Sequence, residues 1–146
     1  MSGVKVTVEV EVRPTESREK VLKAVRTFFD PQRVRVEKLG ESEVVIAEST
    51  TLASLMKLHY ALRVERILDA ARNALKRGIQ SKNRLVFYLH KQAAYQGKVS
   101  FVSGDHESPM GAIKVTIEHP DVKAVIDWLA PYTVRGRPVF ERDMPE

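Results

Sequence analysis

The chain has 146 residues, 43% hydrophobic and 29% charged, with 24 Lys plus Arg against 19 Asp plus Glu, one tryptophan and no cysteine. That composition excludes a disordered polar chain, and zero cysteines exclude a disulfide framework, a zinc–thiolate site, an iron–sulfur cluster and a thiol nucleophile. No apolar run approaches the roughly 18 residues that span a bilayer, and Met1-Ser2-Gly3-Val4-Lys5 lacks the regions of a signal peptide, so a cytoplasmic chain without membrane attachment is expected.

Val4, Val6, Val8, Val10 and Val12 alternate with Lys5, Thr7, Glu9, Glu11 and Arg13. This is the period of a strand with one buried face, and Pro14 ends it. Thr15 or Ser17 suits the cap of a helix in which Val21, Leu22, Val25, Phe28 and Phe29 recur at helical spacing up to Asp30-Pro31. Residues 32–38 and 43–48 read as strands joined by a hairpin near Gly40. Thr50 or Thr51 caps a long helix predicted to run to about Arg77, with Gly78 placed as the left-handed residue that stops it.

Residues 85–90 read as a strand and 91–96 as a short helix or turn. Two more strands are predicted over 97–102 and 112–118, separated by a loop over 103–111. Pro120 suits the first turn of a last helix, in which Val122, Val125, Ile126 and Leu129 follow the i, i+3, i+4, i+7 stripe, ending before Pro131. Gly136, Pro138 and Pro145 keep the C-terminal residues from continuing as a helix. The expected organisation is one domain over residues 1–130 and an extended arm over 131–146. The predicted fold class is α+β, a two-layer arrangement with a mostly antiparallel sheet covered on one face by helices and a split β-α-β start. The first six elements fit a ferredoxin-like unit equally well.

The net charge of +5 is uneven along the chain: residues 1–50 are neutral, residues 51–100 carry ten basic and two acidic side chains for a net +8, and the last 46 carry −3. Nucleic acid is the commonest partner of such a concentration of cations. If the long helix is continuous, His59, Arg63, Arg66, Asn73 and Arg77 fall within roughly 80° of arc. Tyr60, Val64, Ile67, Leu68, Ala71 and Leu75 then gather on the face that packs on the sheet. Guanidinium groups spaced a turn apart match a phosphate backbone, since Arg donates through a planar fork and stays charged. His90, Lys91 and Gln92 extend that surface past the apolar strand, and Phe87, Tyr88, Tyr95 and Phe101 are the aromatics available to stack on bases.

A catalytic reading has few residues to use. His90, Asp105, His106, Glu107 and His119 are the only group suited to proton transfer or metal binding, and none has a metal-ligand spacing. No phosphate-cradling glycine loop or nucleophile elbow is present. No catalytic residue, metal or cofactor is therefore expected, and the chain is read as not an enzyme.

Thr51-Leu52 with Leu55, Leu62-Arg63-Val64-Glu65-Arg66-Ile67-Leu68-Asp69-Ala70-Ala71-Arg72, His90-Lys91-Gln92-Ala93-Ala94 with Gly97 and Ser100-Phe101-Val102, Glu107-Ser108-Pro109-Met110-Gly111-Ala112-Ile113 and Asp127-Trp128-Leu129-Ala130-Pro131 form a further pattern. Together these segments resemble an archaeal family of uncharacterised proteins described as RNA-binding and as a predicted exosome subunit. The likeness runs from Val4 to about Pro138. It implies a fold similar to the ribosomal protein that binds five-S rRNA. By position it implies a polar signature at Arg63, Glu65, Arg66, Asp69, Arg72, His90, Lys91, Gln92, Glu107 and Ser108. The expectation is a non-catalytic RNA-binding protein that contacts the phosphate backbone with a basic helix face. Its partners would be RNA, a second copy in a homodimer and an RNA-processing complex. The alternatives are a homo-oligomeric interaction or scaffold protein and a small phosphate-handling enzyme.

Overall fold

The computed structural model describes residues 3–104 and 111–146. In chain order the elements are β1 (Lys5–Val12), α1 (Arg18–Arg26), β2 (Arg33–Leu39), β3 (Ser42–Ser49), a 3₁₀ turn (Leu52–Leu55), α2 (Met56–Val64), α3 (Leu68–Arg77), β4 (Ile79–Ser81), β5 (Arg84–His90), α4 (Lys91–Tyr95), β6 (Phe101–Val102), β7 (Ala112–Glu118), α5 (Val122–Leu129), β8 (Thr133–Val134) and β9 (Arg137–Pro138). Among the described residues seven strands form one open sheet, in the order β2-β3-β1-β7-β5-β4 with β6 also against β5, and every pairing is antiparallel. The α+β class expected from the sequence is thus the observed one.

The valines of β1 set the two layers. Val6, Val8, Val10 and Val12 are buried and face the helices, and in register with them lie Val45 and Ala47 of β3 and Val115 and Ile117 of β7. Leu85, Phe87 and Leu89 of β5 continue the same face. Helix α1 contributes Val21, Ala24 and Val25, α2 contributes Leu58 and Leu62, α3 contributes Leu68, Ala71 and Leu75, and α5 contributes Val122, Val125, Ile126 and Leu129. At about 25 cal/mol per Å² of apolar surface, burying these side chains is the main favourable contribution to folding.

The start of the chain follows the split β-α-β pattern, but the second half is not ferredoxin-like. A ferredoxin-like unit would return the strand after the second helical region to the free side of β1. Here β7 takes that place and β5 lies one position further out. The reason is the direction of travel. The strand that follows the helix pair α2 and α3 is β4, which runs antiparallel to β1 as a ferredoxin-like fourth strand would, and the β4–β5 hairpin then turns the chain so that β5 runs antiparallel to β3 and parallel to β1.

That helix pair replaces the single long helix predicted from residue 51 to 77. Arg66 lies in the left-handed region at φ 56°. Ile67 N–H donates to Leu62 C=O and Arg66 N–H to Arg63 C=O. These two bonds are a Schellman close, with a non-glycine residue in the position that glycine usually takes. The same pair of bonds ends α4, where Lys98 N–H reaches Ala93 C=O and Gly97, at φ 75°, reaches Ala94 C=O. Residues 97–100, expected in a strand, are therefore spent on this turn, and β6 is only Phe101–Val102.

Gly78 does stop α3, but at φ −87° it is not left-handed. A Cβ there would sit 2.0 Å from the Val86 carbonyl oxygen, so glycine is needed for close approach of the helix end to β5. Beyond Pro131 the chain makes the β8–β9 hairpin, turning on Arg135 and Gly136 with both φ positive. The remaining tail then returns to the body. His119 accepts from Asp121 N–H at Nδ1, which leaves its proton on Nε2 to donate to Pro145 C=O at 2.7 Å, and Met144 packs on the core.

Candidate nucleic-acid interface

The residues expected on one basic arc are divided between two helices, His59 and Arg63 on α2 and Asn73 and Arg77 on α3, because the turn at Arg66 splits the helix that was to carry them. Arg63 points inward, with its side chain only 19% exposed. It donates to the carbonyls of His59, Leu129 and Trp128 and, through Nε and Nη2, to both oxygens of Glu141. His59 stacks on Trp128 with ring centroids 5.1 Å apart. Burial, together with the nearby Arg63 charge, moves its imidazole below the usual histidine range and disfavours the cation a phosphate would need.

Lys91 is the largest departure. It is fully buried and its ammonium meets the Glu16 carboxylate at 2.8 Å and the Glu11 carbonyl. Glu16 also accepts from Arg13 N–H and from the Tyr95 hydroxyl. Burial works to raise the Glu16 carboxyl, but these partners outweigh it and hold the group below the usual carboxylate range. Lys91 is therefore a charge inside the protein rather than a point on a phosphate-facing surface. His90, beside it, caps α4 by accepting from Ala93 N–H.

Other members of the predicted polar signature are structural too. Arg72 donates to Ala130 C=O, pairs with Asp127 at 2.9 Å and lies 3.6 Å from the Tyr132 ring centroid. Asp69 accepts from the Thr133 hydroxyl. Glu65 accepts Val99 N–H with both oxygens, tying the α2–α3 turn to the end of α4. Arg66, Asn73, Arg77 and Gln92 are not buried. Of the aromatics, Phe87 is buried against Phe101, and Tyr88 lies half-buried on the sheet face away from the helices. Asp105, His106, Glu107 and Ser108 lie outside the described residues. Among the described residues no three His, Asp or Glu side chains gather as metal ligands.

A different basic surface lies on the helical layer. Two adjoining hollows, of about 740 Å³ between α1 and α4 and about 480 Å³ between α1 and α2, share Thr27 and Gly97 and form one groove. Burial of Val21, Ala24 and Val25 turns Lys20, Lys23 and Thr27 of α1 to its wall. Burial of Leu58 and Leu62 likewise leaves Met56, Tyr60 and Val64 of α2 exposed along it, Tyr60 at 70%. Lys57 and Lys98 complete the rim, with Lys57 sharing its charge with Asp30 at 3.0 Å. The two carboxylates in the lining, Glu16 and Glu65, are already bonded to Lys91 and Val99 N–H.

Sequence reasoning missed this groove for two reasons. Lys20 and Lys23 belong to the neutral first third, where a regional charge count hides them. A single helix running to Arg77 would put Tyr60 and Val64 on its buried face, and the real α2 ends at Val64. The signal that would have found Tyr60 is the Met56, Tyr60, Val64 spacing, which puts three apolar residues on a stripe on the opposite side of the helix from Leu58 and Leu62.

A family model described as RNA binding matches residues 5–119. A UPF0201 protein of Aeropyrum pernix is 68% identical over 99% of this chain and 97% of its own, and one of Metallosphaera sedula is 51% identical over 97% and 98%. The crystal structure of the UPF0201 protein of Methanococcus jannaschii is similar with a TM-score of 0.79 at 33% identity, covering 93% of this chain and 99% of that one. A DUF54 protein of Archaeoglobus fulgidus is similar with a TM-score of 0.60 at 27% identity, covering 84% and 92%.

Proposed function

The chain belongs to the UPF0201 proteins and to the family described as RNA binding, and from that premise we propose that it binds single-stranded RNA, without converting it, in the groove between α1, α2 and α4. The observation that carries this reading is the exposed Tyr60 ring with Lys57 and Lys98 in one hollow and Lys20 and Lys23 in the adjoining one, the carboxylates of both being occupied. Lysines placed along a groove neutralise successive phosphates and set orientation. An exposed aromatic ring beside them offers a stacking platform, which only an unpaired base can use, since duplex RNA keeps its base faces stacked.

Fluorescence anisotropy with a labelled single-stranded RNA, repeated over a salt series, tests the reading. Contact with about four phosphates gives a slope of about −3 in log affinity against log salt. A flat profile, absence of binding at low salt, or equal affinity for a hairpin duplex would overturn it.

A further inference from the structure

A sheet edge presents unpaired N–H and C=O groups, and natural proteins blunt it with short strands, bulges or proline. This sheet blunts one end and leaves the other long. At the β5 end the outer strands are β4, three residues with a register shift, and β6, two residues. At the opposite end β2 runs for seven residues and pairs with β3 at every one of them without a shift. It contains no proline, and among the described residues no strand lies on its outer side. Val36 and Leu39 on it are 37% and 57% exposed.

What remains to restrict pairing along β2 is charge: Arg33, Arg35 and Glu37 lie on the face away from the helices, and Lys38 lies on the other. We propose that β2 pairs antiparallel with β2 of a second copy of this chain, about a twofold axis at Val36, so that two sheets run on into one. A twofold strand pair is centred on a residue, because only alternate positions turn their main-chain groups to the same edge. Centring on Val34 opposes Arg33 to Arg35, on Arg35 opposes two arginines, on Glu37 two glutamates and on Lys38 two lysines. Centring on Val36 opposes no like charges. It sets Arg35 against the partner subunit's Glu37 and Glu37 against the partner subunit's Arg35, with the two Val36 side chains in contact on the helix side. Glu37 already meets Arg35 of its own strand at 3.2 Å, so both groups reach the same face. The charges on β2 thus obstruct a foreign strand and accommodate its own copy.

Sedimentation equilibrium on the full chain tests the pairing, with circular dichroism confirming that each variant is folded. The wild type is expected to be a dimer. Arg35→Glu and Glu37→Arg each oppose like charges at two symmetric positions and should weaken the dimer by at least about tenfold. Mixing the two variants restores opposite charges at both positions of a heterodimer, so the mixture should regain affinity to within about threefold of wild type. A monomeric wild type at about 100 μM protein, single variants that dimerise as wild type does, or a mixture that stays monomeric would each overturn the proposal.

Discussion

Arg63 and Glu141, 78 residues apart in the chain, are joined by two parallel hydrogen bonds of 2.9 and 2.7 Å. The same guanidinium bonds the carbonyls of Trp128 and Leu129, where α5 ends. One side chain therefore holds α2, α5 and the tail together, which explains its presence in the polar signature without a phosphate. Arg63→Ala is expected to lower stability by about 2 kcal/mol, because half-buried carbonyls lose their donor. Thermal denaturation measures this, and cleavage of the tail by a protease should accelerate in parallel.

The same pair has a pH dependence with a defined sign. The Arg63 hydrogen bonds hold the Glu141 carboxyl below its usual range. A carboxyl lowered in the folded state contributes stability that is present above the unfolded pKa and is lost as pH falls through the folded one. Stability against urea should therefore drop from about pH 5 downward, and the drop should be smaller in Glu141→Gln.

Breaking the buried Lys91–Glu16 pair should be far more costly than neutralising a surface cation. Lys91→Met leaves the Glu16 carboxylate enclosed without its countercharge and is expected to cost about 4 kcal/mol, or about 15 °C in melting temperature. Lys91→Met combined with Glu16→Gln should recover part of that loss, because no unpaired charge remains. Equal melting temperatures for the single and double variants would show that the cost is packing alone.

Gly78→Ala places a methyl group 2.0 Å from the Val86 carbonyl oxygen. The backbone has to shift, and the Val86 N–H to Gly78 C=O bond that joins α3 to β5 shifts with it. A loss of about 3 kcal/mol is expected in chemical denaturation.

Tyr60→Ala separates binding from folding. At 70% exposure the ring contributes little to the core, so the melting temperature should change by less than about 2 °C while RNA affinity falls about tenfold. Lys23→Ala and Lys98→Ala should each weaken binding uniformly across sequences and reduce the salt slope by about 0.7.

The elements that were legible in the sequence are those whose signal is local. Alternating valines marked β1, and a short polar interval around Gly40 marked the β2–β3 hairpin. The α2–α3 break was not legible, because its left-handed position holds Arg66 where the usual signal is glycine. The burial of Lys91 was not legible either, since it depends on Glu16, 75 residues away. The middle third is positive, yet Arg63, Arg72 and Lys91 spend their charge inside the structure. Charge counting thus located cations without showing which of them solvent can reach.

The place of β1 between β3 and β7 has a consequence for how the molecule assembles. Val6 pairs with Ser49 on one side and with Ile117 on the other. The central strand thus waits for a partner from the far end of the chain, with its second edge open until that partner arrives. Such sequence separation slows folding, because the loop must close before the pairing rewards it. Until then the bare edge of β1 is open to mispairing, which the charges of the interspersed Lys5, Glu9 and Glu11 oppose.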